Sequence, residues 1–300
     1  MKLEVTLIIL LNLLFINNSY AKSDEASACQ SALEKGDITT ALAQASNALV
    51  ANKNDKDALI CQGRSLATND DLNGALNAFK QADALAADAF DKTVSSMLIG
   101  NTFKQLKQYD AAVSSYQIAS VQAKASKTPA YERASYNAIG NIHALNQQYA
   151  QALAQYTLCS QLAANDNERG ESFEQMALMH HNMQQHDLAL EYQVKGYAMQ
   201  SKAGSLDEHA NAGIALGRYY ALTKSYTSAE NILNKMIKFA VDNGGAYYEA
   251  KASYVLATVK QAKGEKTSAN ELMENAKKIA NKIQDKDLMA EIQQETQSWH

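Results

Sequence analysis

Seven alanines, Ala41, Ala75, Ala112, Ala152, Ala189, Ala229 and Ala269, follow one another at steps of 34, 37, 40, 37, 40 and 40 residues. Twelve residues before each stands another small side chain: Cys29, Gly63, Gly100, Gly140, Ala177, Gly217 and Ala257. Larger residues keep step. Ile38, Leu72, Tyr109, Tyr149, His186, Tyr226 and Lys266 lie three before the alanine. Ala45, Phe79, Tyr116, Tyr156, Gln193, Leu233 and Met273 lie four after it. Two stretches show the register best, "IGNTFKQLKQYDAAVSSYQIA" from Ile99 and "IGNIHALNQQYAQALAQYTLC" from Ile139, which share Ile, Gly, Asn, Gln, Tyr, Ala and Tyr. A period of this length restricts the chain to a stack of similar units.

Apolar spacings of three and four within each half-unit describe one face of a helix. Short polar stretches such as "KGD", "LKQ", "NQQ" and "MQQ" join the halves into antiparallel helix pairs. Small residues let paired helices approach, and the neighbouring Tyr or Phe fills the space beside the contact. Proline occurs once and glycine thirteen times, a composition that suits helices and not an all-β fold. Helix starts are expected at Thr128-Pro129 and at the capping box "SLDE", Ser205 to Glu208.

A small residue, an aromatic, a tyrosine, an alanine and another aromatic at this period resemble the tetratricopeptide (TPR) repeat, from about Lys22 to about Gln284. The proline that often ends such units is missing, and the 37- and 40-residue periods imply longer helices. The resemblance implies an all-α, right-handed α-solenoid of about seven helix pairs over residues 22–284, with a capping helix over 285–300 carrying Leu288, Ile292 and Trp299 on one stripe. It also implies that the first helix of each unit lines a concave groove, as in the longer-unit subgroup that captures peptides.

Carried onto this sequence, the residue after the small slot and those a turn to either side give the groove: Arg64, Met97, Asn101, Lys104, Asn137, Asn141, Glu174, His181, Arg218 and Tyr254. The shared Ile and Gly serve packing, whereas the shared asparagine shows no packing reason and suits recognition of main-chain amides. The expected function is a non-catalytic scaffold holding an extended segment of a protein partner. The alternative is a solenoid that binds a polysaccharide or cell-wall glycan, which would need tyrosines on the groove face; the register supplies few, Tyr254 among them.

Chemistry-bearing residues point the same way. His143 and His180 stand where Phe103 and Tyr220 stand in other units, so packing accounts for them better than a metal site, and no cofactor is expected. Neither an HExxH pattern nor a nucleophile elbow is present, so no enzyme is expected. Cys159 occupies a small-residue slot and reads as a buried thiol. An oxidising compartment would permit a Cys29–Cys61 bridge; the spacing of adjacent helices and the odd cysteine count argue against it. With a net charge of −4 and no basic block, nucleic acid is not an expected partner.

The start of the chain, "MKLEVTLIILLNLLFINNSYAKS", has Lys2, an apolar run from Val5 to Ile16 and then Ser19-Tyr20-Ala21. That pattern suits a signal peptide over residues 1–21, cut before Lys22. The run is shorter than the roughly 20 residues a membrane span needs, and Cys29 lies too far from it for a lipidated anchor. The expectation is a periplasmic or secreted protein with no integral membrane segment after processing.

Overall fold

The structure, a computed structural model, describes residues 23–296 and residue 299; the expected signal peptide lies outside them. Among the described residues every regular element is a helix, and none is long and apolar enough to cross a membrane. The chain divides into two compact units, Met1–Leu85 and Ala86–His300.

The first unit holds α1 (Asp24–Glu34), α2 (Ile38–Ala51), α3 (Lys56–Thr68) and α4 (Leu72–Ala84). Each starts at a side-chain cap, Ser23, Asp37, Asp55 or Asp71, accepting a main-chain N–H three residues on. The core beneath is made of small residues, among them Ala26, Ala41, Ala45, Ala48 and Ala58. Such a core removes little apolar surface from water. A covalent link supplements it: Cys29 on α1 and Cys61 on α3 form a disulfide, their Cα atoms 6.3 Å apart. This overturns the expectation drawn from helix spacing. The small residues between these helices bring their backbones inside the range of about 4.4–6.8 Å that a bridge spans. The odd cysteine is Cys159, free and buried as expected.

The second unit holds α5 (Ala89–Gln105), α6 (Tyr109–Ala125), α7 (Pro129–Leu145), α8 (Tyr149–Gln161), α9 (Asp166–Asn182) and α10 (His186–Ala203). It continues with α11 (Leu206–Leu222), α12 (Tyr226–Asp242), α13 (Ala246–Ala262), α14 (Lys266–Lys282) and α15 (Lys286–Thr296). Consecutive helices pack against one another, and the glycine slots sit where paired helices approach closely. A Cβ on Gly100 would lie 2.8 Å from the Tyr116 ring, and one on Gly140 2.8 Å from the Tyr156 ring. Gly217 faces Leu233 in the same way, as Gly63 faces Phe79 in the first unit. The slot thus receives the side chain sixteen residues later, on the second helix of its own pair.

Turns between paired helices use the left-handed region, at Lys107, Gln147, Gln184, Lys224 and Gly264. At Lys107 and Gln108 the N–H groups return to the carbonyls of Lys104 and Phe103, which closes the end of α5. The Ser205–Glu208 capping box opens α11 as expected. Pro129 opens α7, but the Thr128 hydroxyl donates back to the Ala123 carbonyl and makes no side-chain cap. After α14 the chain turns into α15, which buries Leu288 and Ile292 against the last pair, with Met289 and Trp299 packed beside them.

Candidate functional site

The two shared asparagines have an internal partner after all. The Tyr116 hydroxyl donates to Asn101 Oδ1 at 2.6 Å, and the Tyr156 hydroxyl donates to Asn141 Oδ1 at 2.8 Å. Both phenols are buried, so each needs an acceptor. The asparagine beside the glycine slot supplies it. Asparagine follows the slot in the two units whose second helix offers a tyrosine to it. The side chain therefore has a packing reason that the sequence comparison missed. It also stays near the surface, Asn101 exposed and Asn141 half-buried, with its carboxamide oxygen pinned and its Nδ2 group left to donate outward.

The other expected groove residues divide by what already holds them. Lys104 and Asn137 are half-buried and make no side-chain hydrogen bond or ion pair among the described residues. Met97 packs against the cluster around Tyr116 and Ile139 and accepts a contact from the Ser135 hydroxyl at 3.1 Å. Arg64 is half-buried on α3 of the first unit.

Glu174 and His181 on α9 turn inward. A Cβ on Gly196 of α10 would lie 2.8 Å from Glu174 Cγ, so that glycine makes room for the glutamate stem. Glu174 Oε1 is buried with no hydrogen-bond partner among the described residues. Burial, with the Glu171 and Glu208 charges adding to it, pushes the Glu174 carboxyl up to about 8. His181 packs 5.3 Å from the His186 ring and 5.6 Å from Tyr219, centroid to centroid. Burial and the neighbouring His186 lower its pKa. The histidines His143 and His180 serve turns: their Nδ1 atoms bond Gln148 and Gln185 at 2.6 and 2.7 Å, just ahead of the second helix of each pair.

Arg218 and Tyr254 depart furthest from expectation. Tyr254 is wholly buried, so its ring offers no face for a ligand to stack on. Its hydroxyl accepts from the Arg218 guanidinium and donates to the Glu291 carboxylate. Arg218 reaches Glu291 directly at 3.1 Å and Glu295 at 3.7 Å. Three successive first helices, α11, α13 and α15, thus meet at one carboxylate. Glu291 and Glu295 were not singled out in the sequence, because Glu291 lies 73 residues from Arg218 and no repeat column links them.

Other polar links between first helices were missed for the same reason. Arg133 on α7 donates to the Glu171 carboxylate at 2.6 Å and the Glu168 carbonyl at 3.1 Å on α9. Asn167 on α9 donates to Glu208 on α11 at 3.2 Å. Leu145, Leu178 and Leu222 remain 62%, 42% and 44% exposed, which leaves apolar surface on helices α7, α9 and α11.

Comparison with solved structures finds this architecture in several proteins. The C-terminal part of a TPR repeat-containing protein from Cytophaga hutchinsonii matches with a TM-score of 0.68 at 12% identity, covering 88% of this chain and 98% of that one. The apo form of RapI matches at 0.67 and 15% identity, over 89% of this chain and 79% of its own. MamA from Desulfovibrio magneticus RS-1 matches at 0.51 and 21% identity, over 62% of this chain and 100% of its own. No protein-family model matches the sequence, and no curated protein matches it. The fold is the helical repeat solenoid of TPR proteins.

Proposed function

We propose that the chain is a non-catalytic scaffold that binds an extended segment of a partner protein along the first helices of its second unit. The observation that carries this reading is the asparagine pair. Each Asn101 and Asn141 oxygen is held by a buried tyrosine, which fixes the rotamer and leaves the NH2 group as a pre-oriented donor. First helices one unit apart lie about 10 Å from each other in ordinary helix packing. An extended chain advances roughly 3.3–3.6 Å per residue, so the two asparagines would meet carbonyls about three residues apart. Exposed Leu145, Leu178 and Leu222 offer apolar contacts, and Lys104 favours an acidic side chain on the segment. The histidines are engaged in turns and packing, which supports a binding role over a catalytic one.

The proposal includes export. A Cys29–Cys61 bridge suits an oxidising compartment, and the apolar run before Lys22 suits a cleaved leader. N-terminal sequencing of the mature chain should begin near Lys22; an intact Met1 would end that part of the reading. The glycan alternative draws no support, because Tyr254 is buried.

Replacing the asparagines is a poor test, since each loss would orphan a buried hydroxyl at a cost of about 1–3 kcal/mol. Lys104 and Asn137 hold nothing in place. The immobilised chain should capture a partner from an extract of its own compartment, and cross-links should map to α5, α7 and α9. Lys104→Ala with Asn137→Ala should then weaken capture about tenfold, the loss of one or two polar contacts, with no change in the thermal melt. Undiminished capture would move the binding surface to the second helices.

A further inference from the structure

Arg218 stands in the column of Asn101 and Asn141, directly after the small slot, and Tyr254 stands in the column of Met97 and Asn137. Both therefore belong to the row along which the partner segment is taken to lie, and both are already engaged by the chain itself. The guanidinium and the phenol converge on the Glu291 carboxylate, with Glu295 a second carboxylate at 3.7 Å from the same arginine. The contact is open to solvent: the Arg218, Glu291 and Glu295 side chains are 36%, 38% and 40% exposed. What fixes α15 is elsewhere, in the buried pair Leu288 and Ile292. The two glutamates thus add little to the docking of their own helix, since ion pairs this exposed contribute about 0–1 kcal/mol. They nonetheless occupy Arg218: Glu291 takes a hydrogen bond from its Nη2, and Glu295 pairs with its Nη1.

We propose that Arg218 and Tyr254 form a seat for an acidic side chain of the partner segment, and that Glu291 and Glu295 are its built-in competitors. This rests on the groove reading above and adds to it both the chemistry of one end of the segment and a means of regulating it. A guanidinium that also polarises a phenol presents two donors to one carboxylate, and the structure shows that arrangement filled. An incoming Asp or Glu must displace Glu291. The internal carboxylates act at the high effective concentration of a tethered group, so weak acidic segments are refused and only those with further contacts along the row gain entry.

The full mature chain tests this with a labelled, C-terminally amidated hexaglutamate as probe and hexaglutamine as control, followed by fluorescence anisotropy at low salt. The native chain should bind hexaglutamate weakly. Glu291→Ala with Glu295→Ala vacates the seat while Leu288 and Ile292 keep α15 docked, and should tighten binding about tenfold or more, in line with loss of a tethered competitor. Adding Arg218→Ala should abolish that gain. Glu291→Gln with Glu295→Gln, which keeps the size of the side chains, guards against unfolding and should give a smaller gain in the same direction. A vacated chain that binds no tighter overturns the proposal, and so does a gain that survives Arg218→Ala. Neither result touches the groove reading, which is decided by Lys104 and Asn137 with the captured partner.

Discussion

Glu174 shows how one residue can be misread from its column. Its place three residues before the small slot marks it as a groove carboxylate, yet Gly196 on the facing helix lets the side chain fold inward. The cause sits on another helix, so nothing near Glu174 in the sequence announces it. The consequence is a carboxyl held up to about 8, against an ordinary 4.5, by burial and by Glu171 and Glu208. With the folded pKa raised, the protonated carboxyl contributes stability that is fully present below the unfolded value. That contribution is lost as pH rises from about 4.5 through about 8, where the folded group finally ionises. Glu174→Gln mimics the neutral form. The variant should match the native chain near pH 4.5 and exceed it at pH 9 by something on the order of 1–3 kcal/mol. Denaturant melts at the two pH values check this; a constant difference would mean that Glu174 ionises normally in the folded chain.

Helix pairing was legible from the ladder because each pair repeats one local contact. The slot glycine and the side chain sixteen residues later belong to adjacent helices, so their spacing survives in the sequence. The structure adds that the two partners are matched in shape. Glycine slots face Phe79, Tyr116, Tyr156 and Leu233, whereas the alanine slots at Ala177 and Ala257 belong to units with the unbranched Gln193 and Met273. Rings and branched tips come too close to admit a Cβ; a linear chain can bend past one. Gly140→Ala should therefore cost about 1–3 kcal/mol, although alanine is the better helix former. Tyr156→Met in the same chain should recover part of that loss by restoring the pairing found in the seventh unit. Gln151→Ala, on the exposed side of α8, should stay within about 0.5 kcal/mol. Thermal melts that left Gly140→Ala unchanged would show that the pair relaxes around the added methyl and that the slot does not set the approach.

For the molecule as a whole, repetition carried the fold and left out whatever occurs once. The Arg218–Glu291 contact and the Cys29–Cys61 bridge join helices of different repeats through pairings that recur in no other repeat; sequence reasoning missed the first and argued against the second. The bridge was judged on the typical distance between stacked helices, but the residues packed there are alanine and cysteine, and small side chains bring backbones closer than typical. Its energetic part follows from the same residues. The first unit buries chiefly alanine, with Leu59 and Phe79 as its large buried side chains, so it draws less on burial than the core around Leu233, Tyr254 and Leu256. A bridge across 32 residues of sequence offsets this by restricting the unfolded chain, roughly 3–4 kcal/mol on the loop-entropy account. Reduction should therefore loosen the first unit selectively. Under reductant, hydrogen exchange at the amides of α1 and α3 should accelerate a hundredfold or more, as a loss of about 3 kcal/mol implies. The amides of α13, deep in the second core and remote in sequence from any bridge, should keep their native rates. Exchange in α1 and α3 that ignored the reductant would show that the alanine core suffices by itself, with the disulfide adding nothing to the stability of the folded unit.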